Sequence, residues 1–273
     1  VQPGGCMPNS SVAVYAGPAL ADYNFGEDHV FGPQRHQAFL DGMERLDLNA
    51  DVSWLQPVQC SLSDLRSFHD DELINKVKYA SALGVGYLDQ GDTPARKGIY
   101  EAALTVVGSV LEMIDRIMDG EYHRGFIPIA GLHHAYRDHC AGFCVFNDCA
   151  IAIERLRKHY QLQKILYVDI DAHHGDGVFY NYESEADVFV VDFHQDGRSL
   201  YPGTGFAEET GTGSALGTMM NFPMPKQAGD QMVDDLWRQA ENFIRSIQPE
   251  FIIFHCGADS LKGDPITQLE YLE

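Results

Sequence analysis

Apolar positions recur at helical spacing most clearly in "AGDQMVDDLWRQAENFIRSI", where Met232, Val233, Leu236, Trp237, Ala240, Phe243, Ile244 and Ile247 follow the i, i+3, i+4 rule. The spacing predicts an amphipathic helix with one apolar face. Weaker patterns of the same period predict helices over 35–46, 62–79, 99–118 and 147–159. Between them lie four short apolar runs, "GFIPIAG", "KILYVDI", "DVFVVDF" and "EFIIFHC". These runs do not alternate, which suits strands covered by helices on both faces, and their succession with helices predicts an α/β fold on a mainly parallel sheet. No composition break, internal repeat or low-complexity tract marks a linker, so residues 1–273 are expected to form a single domain. The Gly-rich stretch 197–217 reads as a loop. It has neither GxGxxG nor GxxxxGK spacing and contains Glu208 and Glu209, so no phosphate cradle is expected there.

Charge narrows the partners. Asp and Glu number 40 against 19 Lys and Arg, a formal charge of −21 that repels phosphate backbones and anionic lipid. Nucleic acid is therefore not an expected partner. No apolar run approaches the roughly 18 residues of a membrane span, and none is expected. The six cysteines, Cys6, Cys60, Cys140, Cys144, Cys149 and Cys256, show no CxxC pair. Free thiols in a reducing, cytoplasmic setting are the expectation, and the spacing of Cys140, Cys144 and Cys149 matches no common zinc pattern.

Chemistry concentrates in "VDIDAHHGDG", residues 168–177, directly after an apolar run. If the strand continued through it, alternation would place Asp169, Asp171 and His173 on one face. The other runs end in the same way: one leads to His133 and His134, one holds Asp192 and precedes His194, and one ends at Asp259. Ligand sites in open parallel sheets form just beyond the carboxyl ends of the strands, where these groups would meet. A lone Asp after a strand is ordinarily a turn or cap residue, and a lone core His is ordinarily just hydrogen-bonded. Several carboxylates buried together need a compensating cation or hydrogen bonds. Asp oxygens and imidazole nitrogens without clustered Cys suit a catalytic zinc with an open position, and suit Fe(II) or Mn(II) as well.

Four stretches, "GLHHAYRDHCAGFCVFND", "VDIDAHHGDGVFY", "HQDGRSLYPGTG" and "CGADSLKGDP", resemble the histone deacetylase family, especially its bacterial acetoin-utilisation and acetylpolyamine deacetylase members. Weaker matches at "DYNFGEDHVFGPQRHQAF" and "GDTPARKGIYEAA" extend the resemblance over nearly the whole chain. It implies the arginase–deacetylase fold, a three-layer αβα arrangement with one catalytic Zn²⁺. By resemblance Asp171, His173 and Asp259 are the metal ligands, and His133 and His134 are the tandem histidines. Asp169 would orient His133 and Asp176 would orient His134, fixing tautomers and raising basicity; His174 is left as structural. The implied chemistry is a zinc-polarised acetamide attacked by water, with His134 taking the proton and returning it to the amine, and His133 acting electrostatically. Phe143 and Tyr201 resemble the aromatic walls of the acyl-lysine tunnel, Gly142 its glycine, and Asp92 the rim aspartate that grips substrate amides. Asp169, Asp171, His173, Asp192 and Phe193 match the family's inner potassium site, with Asp192 standing where relatives often carry Ser.

The pattern departs from the family at one point. The family's catalytic tyrosine follows a further strand, whereas this chain stops at "GDPITQLEYLE", and Tyr271 lies too close to Asp259 to take that role. An incomplete form of an active enzyme, lacking the last strand and helices and leaving an apolar edge uncovered, is expected. Two alternatives stand beside the deacetylase. "DAHHGD" also resembles the arginase motif of a dinuclear manganese ureohydrolase, although the tandem histidines and the lone Asp259 favour one metal. A non-catalytic, metal-dependent acetyl-lysine binder is the other. The expected substrate is an acetylated lysine or polyamine, with the acidic surface steering cationic molecules; no pattern in the chain specifies an oligomeric state.

Overall fold

A computed structural model describes residues 12–272. Cys6 lies outside the described residues, and no disulfide is found among Cys60, Cys140, Cys144, Cys149 and Cys256. In chain order the elements are β1 (Val12–Tyr15), α1 (Pro18–Ala21), α2 (Gln34–Arg45), β2 (Ser53–Leu55), α3 (Leu62–Leu65), α4 (Asp71–Leu83), α5 (Ile99–Met118) and β3 (Arg124–Phe126). There follow α6 (Asp148–Lys158), β4 (Ile165–Asp169), α7 (Asp176–Tyr182), β5 (Val188–Gln195), β6 (Met219–Met224), α8 (Asp230–Ile247) and β7 (Phe251–His255). The chain divides into two compact units between Ala152 and Ile153, within α6.

The first unit carries a three-stranded sheet in the order β2-β1-β3, parallel at both pairings. The second carries a four-stranded sheet in the order β6-β5-β4-β7, again wholly parallel. Parallel neighbours need long crossovers. In the second unit α7 leads from β4 to β5 and α8 from β6 to β7, while the Gly-rich loop leads from β5 to β6. Every residue of β4 is buried, as its unbroken apolar run requires. One face of this sheet joins Leu166, Val168, Val191, Phe193, Phe222 and Met224 in a core to which α8 contributes Ala240, Ile247, Val233, Leu236, Phe243 and Ile244. This is the apolar face read from the helical period.

Three expectations change. The helix over 62–79 is two helices, because two caps compete: Ser61 forms a reciprocal capping box with Asp64, and Asp70 accepts from the Leu73 N–H at 2.9 Å. The run "GFIPIAG" is strand only at its start. Pro128 lacks a ladder donor and Ile129 takes φ 78°, so β3 ends at Phe126. Among the described residues the run in β7 is covered on one face only, with Ile252 and Phe254 exposed by 50% and 51%, and β7 lies at the end of its sheet's strand order. Among the described residues, no helix is long and apolar enough to cross a membrane.

Candidate active site

The centre of the second sheet brings polar groups to one level. Register aligns Asp169 at the end of β4 with Asp192 on β5 and with His255 on β7. The strand stops there rather than running on through the motif, which corrects the alternation argument. Asp169 Oδ1 accepts the Asp171 N–H at 2.9 Å and Asp171 Oδ1 accepts the His173 N–H at 2.8 Å, so two successive Asx turns replace the ladder. The carboxylates shape the loop that carries them. Asp259, from the short turn Ala258–Ser260 after β7, accepts the Ala172 N–H at 2.9 Å and reaches the same loop from the neighbouring strand.

Asp171, His173 and Asp259 consequently converge, each offering one ligand atom within 4.8 Å of the others. His173 Nδ1 donates to Asp259 Oδ2 at 2.8 Å and to Asp171 Oδ1 at 3.1 Å. The three side chains are 13–15% exposed, buried enough to need compensation and open enough to admit a ligand. Burial alone would lower the His173 pKa, but the two carboxylates outweigh it and push it up to about 10. Burial, together with the Asp171 charge, lifts Asp259 to about 6. Two carboxylate oxygens and one imidazole nitrogen around a shared point are a donor set for a divalent cation, which takes the place of the proton held between them. Gly257 fits closely against this group: a Cβ there would stand 2.3 Å from Asp171 Oδ2.

His255 was not singled out in the sequence. Its Nδ1 lies 3.1 Å from Asp169 Oδ1, and Tyr167 donates its hydroxyl to Asp169 Oδ2 at 2.6 Å. The available signal was its place as the last residue of a strand run. Asp192 is fully buried, accepts the Gly175 N–H at 2.9 Å and pairs with His194 Nδ1 at 2.6 Å. His194 Nε2 meets the Gly205 carbonyl at 2.8 Å, so both ring nitrogens face acceptors. Burial opposes its charge, and Asp192 outweighs that to hold the pKa above the ordinary value. Phe193 buries its ring against Phe222 and Trp237 at 4.7 and 5.7 Å, leaving only its backbone to serve a cation. Asp176 opens α7 and is buried; His174 Nδ1 bonds Thr204 Oγ1 at 2.9 Å. Tyr201 is 45% exposed with its ring 6.4 Å from that of His173. Tyr271 packs on the core of this unit and points its hydroxyl at Met224 Sδ, 3.6 Å away.

In the first unit His133 and His134 are buried side by side, ring centroids 4.1 Å apart. Two residues to which the sequence assigned no role hold their loop. Asn147 caps α6 by accepting the Ala150 N–H at 2.8 Å, and its amide donates to the carbonyls of His133 and Ala135 at 3.2 and 2.8 Å. Asp148 accepts the N–H groups of Leu132 and Gly131 at 2.7 and 3.0 Å. The Asn147 N–H in turn donates to His69 Nε2 at 2.9 Å, and burial lowers the His69 pKa to about 4, so this acceptor is neutral. Gly142 has φ 53°, and a Cβ there would lie 2.4 Å from the His134 ring. Asp92 is exposed beside Asp89, whose Oδ1 accepts the N–H groups of Gly91, Asp92 and Thr93 at 3.0 to 3.1 Å. Burial would raise Asp89, but its hydrogen bonds with Asp92, Thr93 and Gly91 outweigh that and bring it to about 2; burial and the bond to Asp89 push Asp92 up to about 6.

Comparison with known proteins decides the family. The histone deacetylase domain model matches residues 29–272. The chain belongs to the histone deacetylase family. The acetoin utilization protein AcuC of Bacillus subtilis (strain 168) is 35% identical over 267 residues, covering 95% of this chain and 68% of that protein. AcuC of Staphylococcus aureus (strain MRSA252) is 29% identical over 269 residues, covering 95% and 69%. Among solved structures, the HDA15 HD domain superposes with TM-score 0.89 at 25% identity, covering 96% of this chain and 76% of that one. An HDAC homolog complexed with SAHA gives 0.83 at 25%, covering 95% and 72%. The parallel sheets and their helices are thus those of the three-layer arginase–deacetylase fold. As a histone deacetylase family member the chain is a hydrolase of the deacetylase class, with a metal ion and an acetylated substrate.

Proposed function

We propose that this enzyme is a zinc-dependent deacetylase cleaving the acetamide of acetyl-lysine or an acetylated polyamine in the cytoplasm. The observation that carries the reading is the convergence of Asp171, His173 and Asp259 within 4.8 Å. When bound there, zinc supplies Lewis acidity toward the acetamide carbonyl and acidity to water. His134 accepts the proton of the attacking water and delivers it to the departing amine, while His133 steadies the charge that develops on oxygen. The orienting roles of Asp169 and Asp176, the channel roles of Gly142, Phe143 and Tyr201 and the rim role of Asp92 belong to the same proposal, with residues 1–273 acting as a single deacetylase domain. So does potassium held by Asp169, Asp171, His173, Asp192 and Phe193, mainly through carbonyls.

The test is acetate release from an acetyl-lysine peptide and from an acetylpolyamine by protein stripped with chelator and resupplied with Zn²⁺, Fe²⁺ or Mn²⁺. Zinc-restored release that falls by orders of magnitude in His134→Ala, with metal retained, is the expected result. Metal-dependent binding of the peptide without any release would replace the enzyme by a binding protein.

A further inference from the structure

Phe143 occupies a conformation that phenylalanine avoids. The Ala141 N–H donates to the Cys144 carbonyl at 3.3 Å and the Cys144 N–H to the Ala141 carbonyl at 2.8 Å, closing a tight turn. Both central residues are left-handed, Gly142 at φ 53° and Phe143 at φ 67°, as a primed turn demands. Glycine adopts this backbone freely; a bulky residue keeps it only where its surroundings over-determine it.

Two buried side chains from distant parts of the chain do so. Thr93 Oγ1 accepts the Phe143 N–H at 3.0 Å. Tyr23 donates its hydroxyl to the Phe143 carbonyl at 2.7 Å and accepts the Val145 N–H at 3.0 Å. Both are fully buried. Each is anchored in turn: the Thr93 hydroxyl donates to Asp89, and Arg96 donates to the carbonyls of Asp22 and Asn24 at 2.8 and 3.4 Å on either side of Tyr23. The Phe143 ring then rests edge-on against His29, centroids 4.7 Å apart. Thr93 also follows Asp92 directly, so the loop of the rim aspartate and the Phe143 turn share one chain of hydrogen bonds.

We propose that Thr93 and Tyr23 are positioning residues for the acyl-lysine channel, clamping the two backbone polar groups of Phe143 so that its ring stays fixed as the wall against which the substrate's methylene chain packs. The inference rests on the reading of Phe143 as that wall. Loss of either clamp lets the turn relax and the wall move, which weakens substrate capture and leaves the chemical step intact.

The experiment uses the full, zinc-loaded chain with Thr93→Val, Thr93→Ser, Tyr23→Phe and Phe143→Ala. Thr93→Val and Tyr23→Phe should raise KM for an acetyl-lysine peptide about tenfold, the value of one lost hydrogen bond, with kcat within about twofold. Where turnover is too slow to follow, the peptide Kd takes the place of KM. Thr93→Ser, which keeps the oxygen, should restore KM. Amide exchange at Phe143 should quicken about tenfold in Thr93→Val, and at Val145 in Tyr23→Phe. An unchanged KM in Phe143→Ala overturns the wall itself and the clamp with it. A raised KM in Phe143→Ala beside unchanged values in Thr93→Val and Tyr23→Phe overturns the clamp alone. Unaltered exchange at Phe143 in Thr93→Val overturns it whatever the activity.

Discussion

Replacing Gly257 by alanine isolates the geometry of the proposed metal ligands from backbone effects. Gly257 has φ −63° and ψ 130°, a conformation open to any residue, so alanine meets no backbone penalty there. Space alone excludes it. An added Cβ would stand 2.3 Å from Asp171 Oδ2 and 2.6 Å from both Asp171 Cα and Cβ. Carbon contacts settle near 3.5 Å, so Asp171 or the β7 end must retreat by about 1 Å. A shift of that size in a ligand carboxylate should weaken zinc binding about 10- to 100-fold, cut turnover about 100-fold, and cost about 1–3 kcal/mol of overpacking. Zinc affinity by competition with a chromogenic chelator, acetate release and a thermal melt measure the three. Gly263→Ala is the converse control: Gly263 has φ 98° with no atom within 4 Å of a new Cβ, so it should lose stability through backbone strain with zinc affinity unchanged. A folded Gly257→Ala protein with the parent's zinc affinity would refute the assignment of Asp171 as a ligand held in this geometry.

Other outcomes follow from single contacts. Asp92 keeps its proton up to about pH 6, so if its carboxylate grips substrate amides, KM should rise about tenfold for each pH unit below that point and flatten in Asp92→Asn. A KM independent of pH between 4 and 7 would remove Asp92 from the rim. His69 is neutral in the fold down to about pH 4, whereas the unfolded chain takes up that proton near 6.5. Its contribution is therefore complete above pH 6.5 and drains away as pH falls, by about 3 kcal/mol at pH 4; a native imidazole titrating near 6.5 by NMR would contradict this. Asp148→Ala strands the Gly131 and Leu132 N–H groups and should cost about 2–4 kcal/mol in denaturant unfolding and at least tenfold in turnover, with zinc content unchanged.

The motifs were legible where side-chain type alone limits the options. Acids and histidines clustered after apolar runs pointed to a metal site, the family resemblance singled out Asp171, His173 and Asp259 among them, and the structure brings those three together. What the residues between them do was not legible. Alternation along β4 suggested a shared face, but the Asx turns at Asp169 and Asp171 decide the loop, and they depend on side-chain to backbone bonds that no periodicity records. β6 escaped notice because Pro223 and the preceding glycines mask a strand that tolerates proline at the sheet edge. Asn147, Asp148 and His69 support the histidine loop through backbone contacts 12 to 78 residues away in the chain. Only the fold reveals such pairings.

The strand order also dates the metal site. β4 and β7 are neighbours in space, but β7 follows β4, β5 and β6 in the chain, and 86 positions separate His173 from Asp259. At about 5–20 residues per second the ribosome needs on the order of ten seconds to supply the third donor after the first two have emerged. During that interval the grouping has only Asp171 and His173. If Asp171, His173 and Asp259 are the metal ligands, as proposed, the complete donor set therefore exists only once β7 has docked.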